Sequence, residues 1–227
     1  VGIANVDHEA VVVELARSFE NPVVIASRRN PIGGDPTIVR VSDVQADQFT
    51  LQLVEASNCD GIHAAESISF IVIEAGTWYT PEGKMIQAGT IDTAATVGVG
   101  DASAWETVEF DSAFGKGPVV QTQIQSANDA DAAHDFVTTR MTQRNAMGFF
   151  VAMEHAEIVS AAHDTETIGY FAIQGGMGKW DGRVYRAMRV GRTTSRWKPV
   201  KFRRRIPNAS LWGQISSYRN GDVDAAA

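Results

Sequence analysis

Apolar and polar residues alternate with a period of two along much of this chain. Phe49-Thr50-Leu51-Gln52-Leu53-Val54-Glu55 opens with it over five residues, and Ile68-Ser69-Phe70 shows it again before the run Ile71-Val72-Ile73. Successive side chains of a strand point to opposite faces, so this pattern buries one face and wets the other. Val11-Val12-Val13-Glu14-Leu15, Val23-Val24-Ile25-Ala26 and Thr37-Ile38-Val39-Arg40-Val41 are short and rich in β-branched residues. They are punctuated by Asn21-Pro22 and Gly33-Gly34-Asp35-Pro36, which also speaks for strands. The one window that also fits a helix runs from Glu9 to Phe19, and its valines favour strand. The expectation is an all-β chain of antiparallel sandwiches with about six strands each.

The pattern recurs. His63-Ala-Ala-Glu66-Ser-Ile-Ser-Phe70-Ile-Val-Ile73 is matched 100 residues later by His163-Asp-Thr-Glu166-Thr-Ile-Gly-Tyr170-Phe-Ala-Ile173. Arg40 and Phe49 match Arg140 and Phe149 at the same offset, and Pro22-Val23-Val24 matches Pro118-Val119-Val120 at a shorter one. Offset changes fall at turns, where insertions are tolerated. A third copy begins at Trp197, where Trp197-Lys198-Pro199-Val200 echoes Trp105-Glu106-Thr107-Val108, and Ser216 to Asp222 echoes Arg29 to Asp35. The division expected is a first sandwich over 1–90, a second over 91–190, joined by the Gly-rich 79–104 stretch, and an incomplete third repeat, or strands donated to a neighbour, over 191–227. The chain begins at Val1 rather than Met, as a processed chain or a piece of a longer protein would.

Charge adds a second asymmetry. The net charge is −7, yet residues 179–205 hold eleven of the 20 Lys and Arg against Asp181 alone, while 24 of the 27 acids precede residue 179. Such segregation steers association. A basic strand lying on an acidic body, its own or a neighbour's, makes Arg183, Arg186, Arg189, Arg192 and Trp197 assembly candidates; the other reading is a landing strip for an anionic polymer. The acidic bulk argues against nucleic acid as a partner. No apolar run is long enough for a membrane-spanning helix. A single cysteine, Cys59, excludes an internal disulfide and any multi-cysteine metal site.

The order of landmarks in each unit resembles the H-type lectin domain: Phe, then Pro-Val-Val, a loop with Asn and Asp, Arg at a strand, an apolar-to-Phe step and a late aromatic strand ending in Ala-Gly or Gly-Gly. Arg40-Val41-Ser42-Asp43-Val44-Gln45-Ala46-Asp47-Gln48-Phe49-Thr50-Leu51 carries it in the first unit, and Arg140, Met147-Gly148-Phe149 and Ile173-Gln174-Gly175-Gly176 in the second. The resemblance implies six-stranded sandwiches that bind galactose-type sugars through late strands and loops near subunit contacts and assemble as trimers or hexamers. Glu55-Ala56-Ser57-Asn58-Cys59-Asp60 sits about where that family has its sugar-contact stretch.

The candidate chemistry is polar and repeated. His63 and Glu66 with Asn58 and Asp60, and His163 and Glu166 with Asp164, are the candidate carbohydrate contacts. A competing reading pairs each glutamate with its own repeat's arginine, Arg40 with Glu66 and Arg140 with Glu166, as structural ion pairs. Asp129, Asp131 and Asp135 form a candidate calcium site on a turn-forming loop. No phosphate-binding glycine loop, nucleophile elbow or His-Glu-x-x-His motif occurs, so no enzyme is expected. The function expected is a secreted or cell-surface module that binds glycans. The alternatives are a structural repeat of a filament, sheath or virion-like assembly built from its own copies, and an accessory module of a larger secreted enzyme.

Overall fold

The computed structural model describes residues 1–97, 104–131, 135–155, 162–191, 199–200, 202, 206 and 209–214. Every regular element among them is a strand. The first sandwich takes β1 (Gly2–Val6), β2 (Val11–Glu14), β3 (Pro22–Arg28), β4 (Thr37–Ser42), β5 (Gln48–Glu55) and β6 (Glu66–Glu74). One of its sheets has the order β1-β6-β3 and the other β2-β5-β4, all antiparallel. β7 (Gly76–Tyr79) leaves this sandwich and pairs with β8 (Met85–Thr93) at the edge of the next sheet. The second sandwich continues with β9 (Glu106–Glu109), β10 (Val119–Ile124), β11 (Val137–Thr142), β12 (Gly148–His155) and β13 (Glu166–Ile173). Its sheets run β10-β13-β8-β7 and β11-β12-β9. A hairpin of β14 (Gly176–Trp180) and β15 (Arg183–Ala187) follows.

The backbone register of the two units matches. Val13 faces Phe49 and Val108 faces Phe149; Val23 faces Ile73 and Val119 faces Ile173. Leu15 N donates to Asp47 O as Phe110 N donates to Met147 O, and Phe19 N to Ala46 O as Phe114 N to Ala146 O. The same register assigns β1 and β8 to one role, because Gly2 lies opposite Phe70 and Gly89 opposite Tyr170. β8 therefore belongs to the second sandwich, although it straddles residue 90 and lies in the stretch expected to be a linker. Gly89 makes room for the Tyr170 ring. By the same comparison β15 stands to β14 as β8 to β7, with Gly176 opposite Ala187 and Gly76 opposite Ala88. Trp197, where a third copy is expected to begin, and Arg192 lie outside the described residues.

Three apolar layers hold the stack together. Phe49, Leu51 and Leu53 meet Val6, Val24, Ile68 and Phe70 inside the first sandwich. Phe149, Val151 and Met153 meet Val120, Ile124, Ile168 and Tyr170 inside the second. Between them the outer faces of the β1-β6-β3 and β10-β13-β8-β7 sheets press together through Val23, Ile25, Ile73, Ile86, Ala88, Phe171 and Ile173. β6 and β13 are consequently covered on both faces, which explains why Ile71-Val72-Ile73 breaks the alternation. Burying a Val, Leu, Ile or Phe side chain contributes about 1.5–3 kcal/mol, so the central seam couples the sandwiches firmly.

Candidate functional site

The two repeated glutamates are the first residues of β6 and β13, and both are interior: Glu66 is 2% exposed and Glu166 is 0% exposed. In the first unit Arg28, at the end of β3, grips Glu66 with two bonds, Nε to Oε2 at 2.7 Å and Nη2 to Oε1 at 2.6 Å. The Ile32 amide donates to Glu66 Oε1 at 3.0 Å. His63 completes the arrangement, with Nε2 3.0 Å from Glu66 Oε1 and Nδ1 2.7 Å from Glu55 Oε1. Carboxylates only accept, so an imidazole bonded to two of them carries both protons. Burial opposes charge on His63, but its bonds to Glu55 and Glu66 outweigh that and raise its pKa. Burial likewise disfavours charge on Glu66; Arg28, the Ile32 amide and His63 overcome it and lower the carboxyl to about 2. Gly33 lies against the imidazole, where a methyl group would overlap the ring.

The second unit keeps the carboxylate and changes its partners. The Asn128 amide, equivalent to that of Ile32, donates to Glu166 Oε1 at 3.1 Å, and the Ser126 hydroxyl donates to Oε2. The position of Arg28 is Ile124 here. The cation comes instead from the first sandwich: Arg40 Nη2 lies 3.6 Å from Glu166 Oε1 and donates to Ser126 O at 3.1 Å. Burial pushes the Arg40 pKa down, opposed by the charges of Glu166 and Asp135. Gln123 and Gln125 bridge the same junction, Gln123 Nε2 to Val39 O at 3.1 Å and Val24 N to Gln125 Oε1 at 3.2 Å. The Glu55–His63 pair is replaced by two imidazoles, His155 and His163, with ring centroids 4.8 Å apart. His163 Nδ1 also lies 2.8 Å from Asp164 O and 3.5 Å from Asp129 Oδ2.

These distances correct the expected ion pairs. Arg40 does not meet Glu66, because Arg28 is on the strand directly beside it; Arg40 reaches across the junction to Glu166. Arg140 does not meet Glu166, because it bonds Glu154 on the neighbouring β12. The expected calcium loop does not converge either. Asp129 Oδ1 accepts from Asp131 N at 2.9 Å and Oδ2 from Asp164 N at 3.1 Å, while Asp135 lies in the field of Arg40. Among the described residues no three acidic, His or Cys side chains form a metal-holding group. Of the expected carbohydrate contacts, His63, Glu66, His163 and Glu166 are buried and bonded within the fold, and Asn58, Asp60 and Asp164 are exposed. Arg183 and Arg189 are exposed, and Arg186 is partly buried. Arg28 escaped sequence reasoning because it has no counterpart 96 residues on. The signal available was its place at the end of the strand preceding the Asn-Gly-Asp loop.

The described residues contain no helix long and apolar enough to cross a membrane. No protein-family model matches the chain, and no solved structure matches it. Over 175 residues, 72% of this chain, it is 34% identical to halomucin from Haloquadratum walsbyi, and that stretch is 2% of halomucin's length.

Proposed function

We propose that this chain is a non-catalytic structural segment of an extracellular surface protein, built of sandwich repeats stacked into a stiff unit. The observation that carries this reading is the junction. An apolar seam joins the sandwiches, and the repeated His and Glu residues are used inside the fold, where they tie loops to strands. The similarity to a short stretch of halomucin supports a place at the cell surface. Antibodies raised against the chain are expected to label intact cells as strongly as permeabilised ones; label that appears only after permeabilisation rejects the surface assignment.

A second reading keeps glycan binding. It is favoured by the exposed Asn58 and Asp60 in the loop between Glu55 and His63 and the exposed Asp164 next to His163, and by the likeness to H-type lectins. Array binding with and without calcium separates the two. Flat responses support the structural role. Selective, saturable binding that Asn58→Ala with Asp60→Ala abolishes, without a change in melting temperature, supports the lectin role.

A further inference from the structure

We infer that the end of β3 and the segment 209–213 form a binding site for a tetrahedral oxyanion, a sulfate or phosphate group either free or carried as an ester, with Arg29 as its main contact. A cavity of about 220 Å³ lies there, and its polar side chains are Ser27, Arg28, Arg29, Asn30 and Ser210. Among the described residues no carboxylate lines it. Arg28 and Arg29 are also the one adjacent pair of basic residues in the acidic stretch 1–178.

The charges are unequally matched. Arg28 and the protonated His63 face the carboxylates of Glu55 and Glu66, so that cluster is neutral. Arg29 has no ion pair or side-chain hydrogen bond among the described residues, so its charge exceeds what the fold neutralises. Donors are in excess as well. Arg28 uses three of its five N–H groups, two on Glu66 and one on Thr37 O, and keeps one on each terminal nitrogen. Ser69 donates its hydroxyl to Ser210 Oγ at 2.9 Å, which leaves the Ser210 hydrogen for a further acceptor. A sulfate or phosphate offers only acceptors and negative charge, and arginine is the side chain best shaped to meet it.

The second sandwich shows that the fold does not require this pair. Arg29 N donates to Ser67 O as Gln125 N donates to Thr167 O, so Arg29 and Gln125 share a position. Gln125 spends its side chain on the junction, accepting from Val24 N and donating to Pro22 O. Arg29 fastens nothing, and Arg28 beside it is matched by Ile124. The cavity shares Ser27, Arg28 and Gly213 with a larger one of about 580 Å³, where Gln121, Gln123, Thr138 and Gln214 leave room for the carrier of an esterified group. The one described carboxylate of that larger space, Asp35, lies beside Cys59.

The test is a titration of the full chain with sodium sulfate, and separately with sodium phosphate, at an ionic strength held constant with sodium chloride and followed by amide NMR. The amides of Arg29, Asn30, Ser210 and Leu211 are expected to shift to saturation. Arg29→Gln, which copies the second sandwich, is expected to weaken that binding about tenfold with an unchanged melting temperature, and Lys116→Gln, on an exposed turn, to leave it intact. Shifts that rise without saturating, or that are the same in Arg29→Gln, overturn the site, as does a variant that melts lower but binds as before. Dextran sulfate separates the two sources. Polymer binding that inorganic sulfate displaces and Arg29→Gln weakens assigns the site to an ester, and a site that takes the inorganic ion but not the polymer assigns it to the free ion.

Discussion

Glu66 and Glu166 occupy one position, accept from equivalent backbone amides, and are stabilised by cations from opposite directions. Arg28 belongs to the same sandwich as Glu66, so the first latch is complete within its unit. Arg40 belongs to the other sandwich, so the second latch is also part of the junction. A duplicated fold has thus kept the carboxylate where a loop must be fastened, and has converted one copy of the fastening into an interface contact. The two arginines also differ in their access to water: the Arg28 side chain is 17% exposed and that of Arg40 is 6% exposed.

That difference ranks the corresponding variants. Glu166→Gln leaves Arg40 buried without its carboxylate, and a guanidinium cannot shed its proton, so unfolding free energy should fall by about 3–5 kcal/mol. Glu66→Gln leaves a partly hydrated Arg28 and a His63 able to become neutral, so the loss should be smaller, about 2–3 kcal/mol. Denaturant titration of both proteins measures the order, and a larger loss in Glu66→Gln would break the comparison. Adding Arg40→Met to Glu166→Gln should recover most of the loss, since apolar side chains replace a buried pair at little cost.

Acid and alkali should act on the first latch through opposite limbs. The Glu66 carboxyl, lowered to about 2, contributes stability that is complete above about 4.5 and fades as pH falls towards 2. His63, raised above its usual 6.5, contributes stability that is complete below that value and fades as pH climbs through its folded pKa. A melting profile should therefore be flattest between about pH 4.5 and 6.5. His63→Asn should remove the alkaline limb and leave much of the acid one, because Arg28 still holds Glu66. An alkaline limb that persists in that variant would locate the titration elsewhere.

Much of this architecture is legible in the sequence, and the residues that are not share a cause. The strands and the 100-residue offset follow from burial patterns that both copies need, and the register reproduces them. The charged side chains around the two glutamates do not repeat: Arg28 is matched by Ile124, Glu55, which holds His63, by His155, and Glu154, which holds Arg140, by Val54. A search for similarity sees what two copies share, whereas a junction is made from what they do not. The same reasoning explains β8. A glycine in a strand reads as a break until the aromatic ring that lies over it is known.

The smallest effect expected concerns the position shared by Ser69 and Gly169. Ser69 has room for its hydroxyl and bonds Ser210, so Ser69→Ala should cost only a neutral hydrogen bond, about 0.5–1 kcal/mol. A methyl at Gly169 would overlap Gln125 Oε1, the atom that accepts from Val24 N, and would crowd Val23. Displacing Gln125 strips the free edge of β3 of its partner, while the added side chain returns about 0.5–1 kcal/mol of strand preference. The net loss in Gly169→Ala should be about 1 kcal/mol, and its location is more telling than its size. Hydrogen exchange at Val24, in the first sandwich, should quicken although the substitution is in the second, and Ser69→Ala should leave that amide unchanged. Equal exchange at Val24 in both variants would mean that Gln125 does not guard the β3 edge.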